Sequence, residues 1–144
     1  IDYWVCVDSP SEASFKEGVS FMKAWCGIAS VQHTLIGLLT HGYHARKVPL
    51  ARIMELTCEN MPTALRIEGK GKIAVGYDAD FALIDLNREY ILKADDILYK
   101  HHVSPYMGTR FKGAVDETIL RGQTIMKDGK IIGMPRGRMI KRKG

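Results

Sequence analysis

The apolar positions of this chain follow different rhythms along its length. Residues 3–7, Tyr-Trp-Val-Cys-Val, form an unbroken apolar run. Such a run predicts a short strand covered on both faces, as in a parallel sheet. Residues 8–20 are polar and read as a loop. Over residues 29–43, Val31, Leu35, Leu38 and Leu39 recur at helical spacing, with Ser30 placed as an N-cap. Pro49 predicts the start of a second helix with Leu50, Ile53, Met54 and Leu56 inward. Pro62-Thr63-Ala64-Leu65 reads as the opening of a short third helix.

The rhythm changes at Gly69. Gly and Asp turn residues flank strand-like runs at 73–75 and 81–86. Residues 88–112 read as irregular, with a turn at Ser104-Pro105-Tyr106-Met107-Gly108. Residues 114–132 predict three short strands. Arg121-Gly122-Gln123 links the first two, and Asp128-Gly129 is the signal of a type I′ hairpin turn. Segments 69–86 and 114–132 are expected to pair as one antiparallel unit. The chain thus reads as strand, loop and helices over residues 1–68, a small β part over 69–135, and a basic tail over 136–144. A strand that ends in a carboxylate and leads through a loop into helices is one unit of an α/β barrel. There, catalytic groups sit at the C-terminal ends of strands. One unit cannot bury its own strand, so the chain is expected to be a portion of something larger. Ile1 as first residue agrees.

Composition refines this picture little. Hydrophobic residues make up 46% and charged residues 26% of 144, an ordinary globular balance. No apolar run approaches the roughly 20 residues needed to span a bilayer, and no basic stretch precedes an apolar one as in a signal peptide. The net charge of +5 points to nucleic acid only until it is located. Arg136, Arg138, Lys141, Arg142 and Lys143 account for all of it. The rest of the chain has no basic stripe of the kind nucleic acid requires. Cys6, Cys26 and Cys58 are widely spaced and form no C-x-x-C, which predicts a reducing, cytoplasmic setting and no structural zinc.

Few residues carry candidate chemistry. Asp8, in Val-Asp-Ser-Pro, is either a catalytic group at a strand mouth or a loop cap. The backbone at Cys26-Gly27, just ahead of a helix, either meets a carbonyl or anionic ligand or makes a turn that needs glycine. His41 and His44 are three apart and favour a helix-terminal role over a shared metal. His33 lies on an apolar helix and reads as a satisfied core group. His101 and His102 read as loop residues.

Several stretches stand out together: Phe21-Met22-Lys23-Ala24-Trp25-Cys26-Gly27-Ile28 with Gln32, Asn60-Met61-Pro62-Thr63-Ala64, and Lys70-Gly71-Lys72-Ile73 with Gly76, Asp78, Ala79 and Asp80. Leu83-Ile84-Asp85-Leu86, Ser104-Pro105-Tyr106-Met107-Gly108, and Gly113-Ala114-Val115 with Arg121-Gly122 complete them. In these stretches the chain resembles the cyclic amidohydrolases, meaning dihydroorotase, hydantoinase and allantoinase. The K-G-x-I-x-x-G-x-x-A-D pattern is shared across the superfamily. F-M-K-A-W-C-G-I-A-S-V-Q leans toward the bacterial allantoinases. The resemblance implies an α/β fold: the C-terminal portion of a metal-dependent (β/α)8 TIM barrel plus part of its small β-sandwich. It implies a hydrolase that opens a cyclic amide, allantoin to allantoate, with dihydroorotase or hydantoinase as the alternative. A non-catalytic homologue is a further one. In the family two divalent metals, usually zinc, activate a bridging water, and an Asp after the eighth strand relays its proton. The other metal ligands lie upstream in the family, so this chain alone is expected to hold no metal pair. Asp8 is the candidate for both the catalytic and the metal-ligating carboxylate. An ungapped alignment puts Val7 on that position instead. Cys26 and Gly27 match the backbone that holds the ring amide. A small cyclic amide is the expected ligand, with a homo-oligomer (dimer or tetramer) as the assembly and neither nucleic acid nor membrane as partner.

Overall fold

The computed structural model describes residues 30–98 and 104–140. Among the described residues the elements are two helical segments followed by four strands, with a short 3-10 turn, Ala94–Asp96, between the first two strands. The first helix covers residues 31–45. It opens with a 3-10 turn, Val31–His33, continues as α-helix at Thr34–Gly37, and widens to π turns at Leu38–Ala45. The second covers residues 50–65, α-helical at Leu50–Met54 and Asn60–Leu65 with π turns at Glu55–Glu59 between. The strands are β1 (Phe81–Ile91), β2 (Arg110–Leu120), β3 (Gln123–Lys127) and β4 (Lys130–Ile131), in the sheet order β1-β2-β3-β4. The described residues divide into two compact units. One contains residues 30–35, 90–98 and 104–111, the other residues 36–89 and 112–140.

In the larger unit the helices are held by close approach. Leu39 is fully buried and Ile53 is 1% exposed. Gly42 faces the Ile53 side chain, leaving room for ordinary van der Waals contact there. The Thr40 hydroxyl accepts from the Lys112 N–H at 3.0 Å and donates to the Lys112 carbonyl at 3.1 Å, pinning the first helix to β2. Pro49 stands at the N-cap of the second helix, as expected. The helix ends at Arg66 in a left-handed conformation, and the Ile67 N–H returns to the Pro62 carbonyl, a common way to satisfy terminal carbonyls.

The inward stripe of the first helix differs from the expected one. Val31 is 66% exposed, whereas His33, Ile36 and Leu39 are buried. A 3-10 start has about three residues per turn and a π stretch more than the usual 3.6. A ruler set to 3.6 therefore drifts off the buried side. Leu56, expected inward, is 45% exposed beside the same kind of widened turn. Pro62 opens no third helix. It lies within the second, where the preceding π turns accommodate a residue that lacks an amide donor.

The β half agrees in its turns more than in its strand limits. Arg121-Gly122 and Asp128-Gly129 both place two successive residues at positive φ (48° and 76°, 49° and 75°). This is the type I′ geometry whose twist suits a hairpin. β2–β3 and β3–β4 pair antiparallel, with a register shift between Thr118 and Ile119. Residues 73–75 form no strand. The Asp78 N–H returns to the Gly69 carbonyl and that of Tyr77 to Ala74, so the run closes into a loop that leaves Ile73 87% exposed. Residues 88–112 are more regular than expected, because β1 runs on to Ile91 and β2 begins at Arg110. The turn at 104–108 is present, with Met107 N–H bonded to the Ser104 carbonyl.

Two glycines are fixed by contact as well as by φ. At Gly71 (φ +87°) a Cβ would lie 2.6 Å from the Cys58 carbonyl oxygen. At Gly113 (φ +101°) it would lie 3.1 Å from Leu39 Cδ1. Gly71→Ala and Gly113→Ala should each cost about 1–3 kcal/mol in urea unfolding, since backbone or a buried leucine must yield. Gly137→Ala meets open space and should leave the midpoint within about 0.5 kcal/mol.

Candidate functional site

Asp8, Cys26 and Gly27 lie outside the described residues, as do His101 and His102. The described structure begins at Ser30, just ahead of the first helix, and this start is tightly held. Ser30 is buried. Its carbonyl accepts the His33 N–H at 2.8 Å and the Thr34 hydroxyl at 3.0 Å. Gln32 bonds twice to one remote segment: its Nε2 donates to the Asp96 carbonyl at 2.7 Å, and its Oε1 accepts the Leu98 N–H at 3.0 Å. That segment is itself ordered, since the Asp96 carboxylate accepts the Lys93 N–H at 2.9 Å across the 3-10 turn Ala94–Asp96.

His33, one position on, is 3% exposed. Its ring lies parallel to Phe111 (centroids 6.1 Å apart, 5° between planes) and tilted against Tyr106. Tyr90 and Tyr106 also pack on Phe111. The Ser104 Oγ accepts the Tyr106 N–H at 3.2 Å and fixes that side of the cluster. His33 is thus the core residue its apolar surroundings predict. Burial pushes its pKa below the usual histidine value, and the nearby Asp96 charge only partly opposes this. The unfolded chain therefore takes up a proton before the folded one. This stability is complete above the unfolded pKa of about 6.5 and is lost as pH falls from there toward the lower folded value. The wild-type unfolding midpoint should fall from about pH 7.5 to about pH 5.5, and His33→Gln should flatten that slope. An identical slope in both would contradict the assignment.

The remaining polar groups are mostly engaged in architecture. His44 Nε2 donates to the Leu86 carbonyl at 2.8 Å while its ring meets Tyr43 edge-on, in keeping with a helix-terminal role. A cleft of about 420 Å³ opens beside it, lined in part by Lys47, Asn87 and Lys112. Lys112 has a carboxylate 3.6 Å away in Glu89. Among the described residues, no group of three or more His, Cys, Asp or Glu side chains could hold a metal ion.

The superfamily pattern at 70–80 proves to be a clip. Lys70 Nζ lies 2.7 Å from Asp78 Oδ2 and also bonds Asp80 Oδ2. The other Asp80 oxygen accepts the Arg121 N–H at 2.8 Å, and the Gly122 N–H bonds the Ala79 carbonyl at 2.8 Å. One carboxylate thus ties the loop after Gly69 to the β2–β3 turn. Burial works against both charges. Hydrogen bonds to Asp78 and Asp80 outweigh it and raise the Lys70 pKa, while those from Lys70 and the Arg121 N–H lower that of Asp80. The Asp80 contribution is present above its unfolded pKa and lost as pH falls through the lower folded value. The Lys70 contribution is present below its unfolded pKa and lost as pH rises through the raised one. Lys70→Met should cost about 1 kcal/mol near neutral pH. Its unfolding midpoint should converge on the wild-type value as acid protonates the carboxylates.

Comparison with known proteins adds what the described geometry lacks. The chain is 54% identical over 133 residues to an allantoinase of Desulfitobacterium hafniense strain Y51, and 41% identical over 133 residues to one of Rubrobacter xylanophilus. Each match takes in 92% of this chain and 29% of the relative. Among solved structures it resembles a D-hydantoinase (TM-score 0.78, 28% identity, 86% of this chain and 27% of that one). It also resembles the L-hydantoinase of Arthrobacter aurescens (TM-score 0.72, 28% identity, 78% and 25%). The chain therefore spans under a third of the length of these relatives. A match to the amidohydrolase family extends over residues 12–125, taking in the held start of the first helix, the Lys70 clip and the β2–β3 turn, and by this match the chain belongs to that family.

Proposed function

We propose that this chain is the C-terminal portion of a hydrolase that opens a cyclic amide, allantoin to allantoate. The observation that carries the proposal is the 54% identity to an allantoinase over 92% of the chain. Likeness to hydantoinases at 28% identity supports the same reaction class on a related ring. In this reading residues 1–68 supply the last strand, loop and helices of a (β/α)8 barrel. Residues 69–135 supply part of a small β-sandwich, and residues 136–144 form a basic tail. The protein would act in the cytoplasm as a homo-oligomer, dimer or tetramer. Among the described residues no helix is long and apolar enough to cross a membrane.

The roles assigned to this chain are few. The Asp8 carboxylate takes a proton from the attacking water and returns it to the leaving ring nitrogen, as general acid–base work requires. The backbone of Cys26 and Gly27 holds the ring amide. Two divalent metals, zinc by family habit, belong to the whole protein. The described residues do not form a set that fits them. Asp8 is the one ligand this chain would add.

The full-length protein carrying this chain should hydrolyse allantoin faster than hydantoin or dihydroorotate, with two metal equivalents per subunit. Asp8→Asn should lower kcat by about 10²–10⁴-fold. Preference for hydantoin or dihydroorotate would reassign the substrate. A metal-free protein with no turnover would instead favour a non-catalytic homologue, a reading that Val-Asp-Ser-Pro permits. If Val7 takes the catalytic position, Asp8→Asn leaves kcat nearly unchanged.

A further inference from the structure

We propose that the cleft at the end of the first helix is a binding site for a small carboxylate with a flat apolar body. Its volume is about 420 Å³, within the range that holds a small organic ligand. The link after the helix supplies Lys47, Val48 and Pro49 to its lining, β1 supplies Leu86 and Asn87, and β2 supplies Lys112. All of them belong to the larger unit. The lining includes two ammonium groups and no carboxylate. Among the described residues, the Lys47 ammonium and the Asn87 side-chain amide have no hydrogen-bond partner or counter-charge. Lys112 has Glu89 at 3.6 Å, but both side chains are largely exposed. Such a pair is weak and leaves the other donors of the ammonium open to a ligand.

These groups stand on fixed backbone. Thr40 holds Lys112 through both its N–H and its carbonyl. His44 Nε2 donates to the Leu86 carbonyl and ties the helix end to β1. The Asp85 carboxylate accepts the Asn87 N–H at 2.8 Å. The Gly42 carbonyl accepts the N–H of both Arg46 and Val48, which holds the turn at Lys47. Lys47 has a φ of 58°, in the left-handed region where glycine is usual at a helix end. Its side chain therefore stands in the cleft against a backbone preference. The donor set suits carboxylate better than phosphate. Phosphate is commonly met by arginine and by backbone N–H groups at a helix start. No arginine lines this cleft, and Pro49, at the start of the second helix, has no N–H to give. Two ammonium groups and an amide can share the two oxygens of a carboxylate. Val48, Leu86 and the ring of Tyr43 offer an apolar wall to the body behind it.

The test is calorimetric titration of the full-length protein with benzoate, with uncharged benzamide and with inorganic phosphate. Benzoate should bind with about millimolar affinity, an ordinary yield for so small a ligand. Benzamide has the shape without the charge and should bind about tenfold more weakly. Phosphate should also be weaker, since it leaves the apolar wall uncovered. Lys47→Gly removes one ammonium and suits the left-handed backbone. Benzoate affinity should then fall about tenfold while the thermal midpoint holds or rises. Lys112→Met should weaken benzoate to a similar extent, and Lys47→Arg should keep it within about threefold. Should Lys47→Gly not fold, Lys47→Met is measured in its place with the same loss expected. No benzoate binding to the wild type would overturn the proposal, as would equal binding of benzamide or tighter binding of phosphate. So would benzoate affinity unmoved in Lys47→Gly and Lys112→Met, which puts the ligand elsewhere on the protein. None of these residues has a part in the proposed ring opening, so the titrations decide the matter whether or not the protein hydrolyses an amide.

Discussion

The ammonium of Lys70, shared between Asp78 and Asp80, is the interaction on which the β half of this chain depends. Three charges partly withdrawn from water are costly unless each is matched. Here the two carboxylates face one cation, and Asp80 also accepts the Arg121 N–H. That last bond makes a local clip into a long-range one. It fastens the loop after Gly69 to the β2–β3 turn, and the Gly122–Ala79 bond runs beside it. The loop in turn approaches the second helix so closely at Gly71 that a methyl group would meet the Cys58 carbonyl. Helix, loop and sheet edge are therefore set by one lysine, two aspartates and a missing side chain.

The smaller unit reaches the same end with neutral groups. Gln32 bonds two backbone groups, His33 stacks on Phe111, and Ser104 accepts the Tyr106 N–H. Burial keeps His33 inclined to the neutral form, which suits a ring packed on aromatics. A charged ring there would forfeit hydration that the nearby Asp96 charge offsets only in part.

Much of the fold was legible because turn chemistry is local. Asp128-Gly129 and Arg121-Gly122 announce positive φ wherever they stand, and both appear as expected. Pro49 marks a helix start for an equally local reason. The misreadings share a cause: periodicity measures a helix or strand against an ideal repeat. The 3-10 and π turns move the buried stripe of the first helix, exposing Val31 and burying His33 and Ile36. Apolar residues at 73–75 look like a strand until Gly71 and Gly76, both at positive φ, close the segment into a loop. The Gln32 clamp was visible only as a residue shared with a family. Its partners stand more than sixty positions away, beyond the reach of any local rule.

The same division explains how the chain relates to its relatives. The groups whose geometry is defined here orient backbone: Lys70 with its aspartates, Gly71, Gly113, Thr40 and Gln32 each fix one segment against another. Such groups answer to the fold, since each holds one backbone segment against another. A D-hydantoinase can therefore share this architecture with a TM-score of 0.78 at 28% identity. The identity to an allantoinase of Desulfitobacterium hafniense strain Y51 is higher, 54% over 133 residues.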